Sequence, residues 1–256
     1  MKETEYLKYI MEDETIDDLQ CNDLMLIQKK SGFRFGIDAI LLVNFVKAGK
    51  NDRILDIGTG TGIIPVLLLA KSKARSITGI DIQGHLIEMA NRSAELNGIN
   101  DRVHFMYMDV ADSIEFFEEG TFDVITTNPP YMKKGGGIIN TSSSMAISKH
   151  EITCTLEDIL RNSAKLLKNK GRFYMVHKPE RLTDILYYMR IYKMEPKILR
   201  FVQPYEDQRP NLVLVGGVKN ANPGLITEKP LYVYKSKLEY SDEINMIYKR
   251  GIYSNE

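Results

Sequence analysis

The stretch RILDIGTGTGIIPVLLLAKS, residues 53–72, decides the fold. A short apolar run ends near Asp56, glycines alternate at Gly58, Gly60 and Gly62, and apolar residues then recur at helical spacing. This reads as a strand, a turn that needs glycine backbone freedom, and a buried helix. The spacing departs from the dinucleotide pattern G-x-G-x-x-G, because Ile63 stands where the third glycine belongs. The loop still lets backbone approach a ligand closely, and it opens a helix N-terminus whose free N–H groups favour a carboxylate.

Outward from this unit, short apolar runs alternate with segments of helical period, the signature of a parallel sheet with crossover helices. Seven strands are expected at 53–58, 76–82, 102–109, 122–128, 171–177, 195–203 and 211–218. IIPVLLLAKS, LIEMANRSAELN, TLEDILRNSAKLLK and ERLTDILYYMRIY read as helices. The last two strands follow one another without a helix, so an antiparallel hairpin is expected to close the sheet. Upstream, LMLIQKKSGFRFG reads as a hairpin and IDAILLVNFVKAG as a helix. The expected organisation is an α/β domain over 51–256, with 1–50 as a small extension packed on it.

Composition narrows the function classes. Lys+Arg and Asp+Glu both number 34, so no global basic field draws the chain to nucleic acid, and any such contact is local. The two cysteines, Cys21 and Cys154, form no metal or disulfide pattern. No metal is expected. No apolar run approaches the length of a membrane span or a signal core, and the reading is of a soluble cytoplasmic protein without an obligate protein partner.

Asp81 ends the second strand about 20 residues after the glycine loop, where a ribose-binding acid sits in nucleotide sites. Asp109 ends the third. With Asp56 these acids line the carboxyl edge of the sheet and describe a pocket for a nucleoside that carries positive charge. A lone Asp at such a position is commonly a helix cap; three behind one glycine loop are not.

LDIGTGTG, the acid of GIDI and the Asp of YMDV resemble the S-adenosylmethionine site of class I methyltransferases, whose fold is Rossmann-like. The resemblance implies that the glycine loop cradles the methionine part, Asp81 holds the ribose and Asp109 lies near the adenine. The implied donor site takes in Asp56, Gly58, Thr59, Gly60, Thr61, Gly62, Asp81, Ile82, Asp109, Val110 and Asn128.

The fourth strand runs into Asn128-Pro129-Pro130-Tyr131, and two prolines cannot continue a sheet ladder. An exocyclic amine on a conjugated ring is a poor nucleophile, because its lone pair is delocalised. The Asn128 side-chain oxygen and a proline carbonyl are both acceptors and can each take one N–H of such an NH2 group. Tyr131 offers a face for a flipped base. The motif resembles the signature of amino-methyltransferases acting on adenine N6, cytosine N4 or glutamine amide.

GFRFGIDAILL (32–42), ANRSAELN (90–97), SKHEITCTLEDIL (148–160), FYMVHKPERLTDI (173–185) and EPKILRFVQP (195–204) further resemble the bacterial tRNA1(Val) adenine-37 N6-methyltransferase family, over nearly the whole chain from about residue 20. The family implies methylation of an anticodon-loop adenine in a valine tRNA, with Asn128, Pro129, Pro130 and Tyr131 as the catalytic motif. It also brings Arg34 and Asp38 near the donor or target. Asp81 stands where the family often has Glu, and the loop 132–149 is unusually rich in Gly and Ser. Lys29, Lys30, Arg34, Lys133, Lys134, Lys149, Lys178 and Arg181 fall in loops expected near the carboxyl edge and read as a basic rim for phosphates. Of these, Lys133, Lys134, Lys149, Lys178 and Arg181 are the candidate substrate contacts, with Tyr131. His150 and Glu151 read as structural or substrate-positioning, and His177 as a packing residue. A DNA or rRNA adenine, a protein glutamine, or a non-catalytic donor-binding RNA-binding module remain as alternatives.

Overall fold

A computed structural model describes residues 7–31, 36–130, 154–237 and 239–249. The chain begins with two short strands, β1 (Glu14–Asp18) and β2 (Met25–Lys29), and helix α1 (Ile37–Phe45). The central alternation then follows: β3 (Arg53–Ile57), α2 (Ile63–Ser72), β4 (Ser76–Asp81), α3 (Gly84–Leu96), β5 (Val103–Tyr107), α4 (Ser113–Phe116) and β6 (Phe122–Thr127). Helix α5 (Leu156–Leu166), β7 (Leu167–His177), α6 (Leu182–Ile191), β8 (Met194–Gln203) and β9 (Leu212–Lys219) complete it. The C-terminal part adds short strands β10 (Ile226–Thr227), β11 (Leu231–Tyr232), β12 (Tyr234–Ser236) and β13 (Glu239–Tyr240), and helix α7 (Asp242–Lys249).

Among the described residues the main sheet has nine strands, in the order β10-β8-β9-β7-β6-β3-β4-β5, with β11 also paired to β8. The seven expected strands are all present. The two additions are two-residue edge strands, too short to carry a period. All pairings are parallel except those of β9, which lies antiparallel between β7 and β8. The expected terminal hairpin therefore does not lie at the edge: its second strand is inserted.

Helices cover both faces, as buried parallel strands require. On one face α1, α2 and α3 pack with Ile54, Ile77, Val103 and Val124, and Ile244 of α7 joins them. On the other, α5 and α6 pack on Leu55, Ile125, Phe173 and Val215. The sequence stops and starts these helices locally. Thr155 and Asp158 form a reciprocal capping box at α5, while Lys73 ends α2 in the left-handed region.

The upstream hairpin differs from the sequence expectation. Among the described residues LMLIQKKSGFRFG supplies β2 alone, and its partner β1 is ETIDD, with Glu14 opposite Lys29. Long-range contacts make that acidic segment a strand. Buried Glu14 takes a two-pronged bond from Arg92 of α3, at 2.6 and 2.8 Å, and the Ser93 hydroxyl accepts from Ile27 N at 3.0 Å. Met25 meets Asn97 and Ile27 meets Ser93, so β2 runs against α3 and delivers Lys29 toward the carboxyl edge.

Candidate active site

Three strand ends converge on the glycine loop. Register pairs Asp56 of β3 with Gly79 of β4 and with Thr126 of β6, so Gly58 and Asn128 leave the sheet at the same level. The Thr126 hydroxyl donates to Asp56 Oδ1 at 2.6 Å, and the Thr127 hydroxyl donates to the Ile57 carbonyl at 2.9 Å. The strand leading to Asn128 is thus fastened to the strand leading to the loop by two side-chain bonds beyond the ladder. Pro129 is buried, Pro130 exposed and Asn128 half-buried.

The loop needs its glycines for two different reasons. Gly58, Gly60 and Gly62 have φ of 71°, 56° and 87°, a region that penalises a side chain. A Cβ at Gly58 or Gly60 would meet nothing within 4 Å, so these two border open space that a ligand can fill. At Gly62 it would lie 2.5 Å from Phe105 Cζ, a close-packing constraint. Gly62 caps α2 without a side-chain hydrogen bond, which leaves that helix start to the loop backbone and to a ligand.

Asp81 is almost fully buried and its carboxylate is fixed by two backbone donors, Gly60 N at 2.9 Å and Gln83 N at 2.8 Å. Each oxygen retains acceptor capacity for a diol. Asp109 lies two residues past β5 and accepts from Ala111 N at 2.9 Å. Ile82 is half-buried beside Asp81, and buried Val110 takes a hydrogen bond from Asn162 on its carbonyl. Asp38 opens α1 at the same edge and accepts from Ala39 N at 3.0 Å.

Asp56 is fully buried, and burial raises its carboxyl to about 7. The Thr126 and Thr59 hydroxyls pull the other way, and Asp81 adds repulsion. Asp56 Oδ2 and Thr59 Oγ1, both buried, have no hydrogen-bond partner of ordinary geometry. A polar pair left so beneath a roomy glycine loop suits a pocket for a cationic ligand or an ordered water.

Of the basic rim, Lys29 is paired with Asp13 at 2.7 Å and Lys30 donates to the Glu12 carbonyl at 2.8 Å. Lys178 donates to the Asn211 carbonyl at 3.4 Å, and Arg181 pairs with Asp184 at 2.8 Å. Lys178 and Arg181 stand just past β7, one strand from Asn128. His177 is buried with Nδ1 accepting from Lys178 N, and burial first, then Arg181, lowers it to about 4. Burial thus keeps it neutral near pH 7. Arg34, Tyr131, Lys133, Lys134, Lys149, His150, Glu151 and the loop 132–149 lie outside the described residues.

Sequence reasoning missed the supports. Thr126 gave no signal beyond its place before Asn128. Gly79 did: a glycine inside a strand marks a close approach, and a Cβ there would lie 2.6 Å from Thr59 Oγ1 and 2.7 Å from Phe105 Cδ1.

Among known proteins, the family described as "Methyltransferase small domain" matches residues 34–186. The tRNA1(Val) (adenine(37)-N6)-methyltransferase of Porphyromonas gingivalis is 29% identical over 195 residues, covering 73% of this chain and 75% of that protein. A putative protein N5-glutamine methyltransferase of Methanocaldococcus jannaschii is 38% identical over 95 residues, covering 37% of this chain and 45% of its own. The crystal structure of a predicted O-methyltransferase from Agrobacterium tumefaciens superposes with a TM-score of 0.68 at 20% identity, covering 84% of this chain and 96% of that one. That last likeness is one of fold.

Proposed function

The chain belongs to the methyltransferase small domain family, and from that premise we propose that it methylates the N6 of an adenine in tRNA, using S-adenosylmethionine. The finer reading is position 37 of a valine tRNA, the reaction named for the relative from P. gingivalis. The observation that carries the proposal is the register of β6 on β3, which holds Asn128-Pro129-Pro130 level with the glycine loop.

The residues fit the donor. Open space over Gly58 and Gly60, a doubly held carboxylate at Asp81 and the buried Asp56 suit a nucleoside bearing an amino acid tail. Asp81 would hold the ribose, Asp109 with Ile82 and Val110 the adenine, and the loop from Gly58 to Gly62 the methionine part, with Arg34 and Asp38 close by. When bound, S-adenosylmethionine supplies an electrophilic methyl on a positively charged sulfur.

Everything else falls to the chain's own groups. The Asn128 amide oxygen and the Pro129 carbonyl accept the two N–H bonds of the target amine, which turns its lone pair toward the donor side and leaves no strong base to be required. The prolines hold that carbonyl stiff. Tyr131 stacks on the flipped adenine, and Lys133, Lys134, Lys149, Lys178 and Arg181 hold phosphates around it. The two threonine bonds from β6 to β3 keep clamp and loop in one frame. The match to the glutamine methyltransferase covers little more than a third of the chain and supports the shared clamp rather than a protein substrate.

The test is methyl transfer from labelled donor into separate pools of unmodified tRNA, rRNA, DNA and protein, with nucleosides resolved by mass spectrometry. N6-methyladenosine in tRNA is expected, and label in protein alone refutes the substrate. Asn128→Ala should abolish transfer and leave donor affinity within a few fold, whereas Asp81→Ala should weaken donor binding. Equal loss of donor binding in both would sink the assignment of roles.

A further inference from the structure

Four tyrosines stand in a column beyond the end of β8. Consecutive ring centroids of Tyr205, Tyr234, Tyr240 and Tyr248 are 5.4, 5.2 and 5.9 Å apart, with interplanar angles of 32°, 14° and 30°. The central pair is stacked and the outer two are tilted, unlike the other aromatic pairs among the described residues, Tyr187–Tyr188 at 69° included, which meet edge to face. Phe45–Tyr174, Phe116–Phe117 and Phe117–Phe122 meet edge to face at 87°, 85° and 79°, the arrangement ring quadrupoles favour in a core. The column is also not fully covered, since Tyr240 keeps 39% of its surface exposed. A cluster built only to fasten α7 would bury its rings.

Topology sets the column on the edge that carries the clamp. Tyr205 lies two residues past β8, and Tyr234 N donates to the Pro204 carbonyl at 2.9 Å, so both residues stand at the carboxyl edge of the sheet. Three strand spacings separate β8 from β6, about 14 Å. Between them the same edge carries Lys178 and Arg181 after β7, and exposed Arg209 just before β9. Tyr234 and Tyr248 pack against the core, which holds the column rigid. Tyr205, two residues past β8, is the member of the column that follows a strand of the main sheet.

We propose that this column is a stacking platform for unpaired bases of the tRNA loop, adjoining the site that takes the flipped adenine. The inference rests on the tRNA substrate proposed above. Taking one base out of a loop leaves its neighbours without stacking partners, and aromatic faces near a cationic track are how proteins hold such single strands. Glu206 and Asp207, exposed in the turn after Tyr205, repel phosphate. The column accordingly takes bases, and the cations nearer β7 take the backbone.

The chain contains no tryptophan, so Tyr205→Trp introduces a single reporter whose ring retains the stacking face. The probe is an unmodified transcript of a valine tRNA. Saturable quenching of the tryptophan emission is expected, with the midpoint found by anisotropy for the wild type. Tyr205→Leu is expected to raise both Kd and KM for the transcript about tenfold, about 1.4 kcal/mol, with kcat and donor Kd within twofold and with rescue in Tyr205→Phe. Transcript binding without any change in emission, or an unchanged Kd in Tyr205→Leu, overturns the platform while leaving the methylation proposal standing. Failure of the wild type to bind or methylate the transcript overturns the substrate, and the platform's occupant with it.

Discussion

Asp56→Asn is expected to make the protein more stable and its donor site worse. The carboxyl lies entirely inside the protein, and burial moves it from the ordinary aspartate value of 3.8 to about 7. In the unfolded chain it ionises near 3.8; in the fold it keeps its proton until about 7. Its contribution to stability is therefore fully present below pH 3.8 and is lost as pH rises through 7, by about 1.4 kcal/mol per pH unit. Over that window the loss is about 4 kcal/mol, an upper figure for a group whose surroundings relax. Asparagine has the shape of the protonated acid: its oxygen can accept from Thr126, and its NH2 can meet the unpartnered Thr59 oxygen. Urea unfolding of both proteins from pH 5 to 8.5 measures the difference. The variant should gain up to about 4 kcal/mol over wild type at pH 8 and less than half of that, about 1.6 kcal/mol, at pH 5, while donor affinity falls at least tenfold. Parallel stability curves across that range would refute the buried, proton-retaining carboxyl.

Other outcomes follow from the same geometry. Gly62→Ala combines a backbone at φ 87° with a Cβ 2.5 Å from Phe105, and unfolding free energy should fall by about 2–4 kcal/mol. Gly60→Ala, where the Cβ meets nothing, should lose only about 1 kcal/mol in the same urea titration, and calorimetry should find its larger defect in donor affinity. Glu14→Ala strands Arg92 against α3 and should cost about 3 kcal/mol, detached hairpin amides appearing first in hydrogen exchange. His177, lowered to about 4 by burial, should show no imidazole titration by NMR between pH 5.5 and 8, and stability it supplies above pH 6.5 should fade as pH drops through 4.

The central architecture was legible because parallel strands buried on both faces write themselves as apolar runs, and the glycine loop, Asp81 and Asn128 each sit where such a strand ends. The upstream hairpin was not. ETIDD carries no strand period, and becomes β1 through Glu14 and Arg92, which are 78 residues apart. Strand order was equally hidden, since nothing local in NLVLVGGV says that it pairs with β7 as well as β8. Within the site, the residues proposed to touch a ligand fall at readable positions, whereas Thr126 and Phe105 act through neighbours only the fold supplies. Two members of the expected basic rim, Lys29 and Arg181, have acidic partners at 2.7 and 2.8 Å that sequence position alone did not reveal.

The insertion of β9 also governs the order in which the chain can fold. Every strand bearing the glycine loop and the clamp has been synthesised by His177, yet the free edge of β7 waits for residues 212–219. Until then a strand containing Phe173, Met175 and Val176, all buried in the finished protein, offers unpaired N–H and C=O groups to any other chain. Because β8 and β9 pair with each other antiparallel, the hairpin can form locally and dock on β7 as a unit. A chain ended at residue 193 leaves that edge uncovered and should aggregate, as light scattering would show, so the C-terminal hairpin shields the strands made before it.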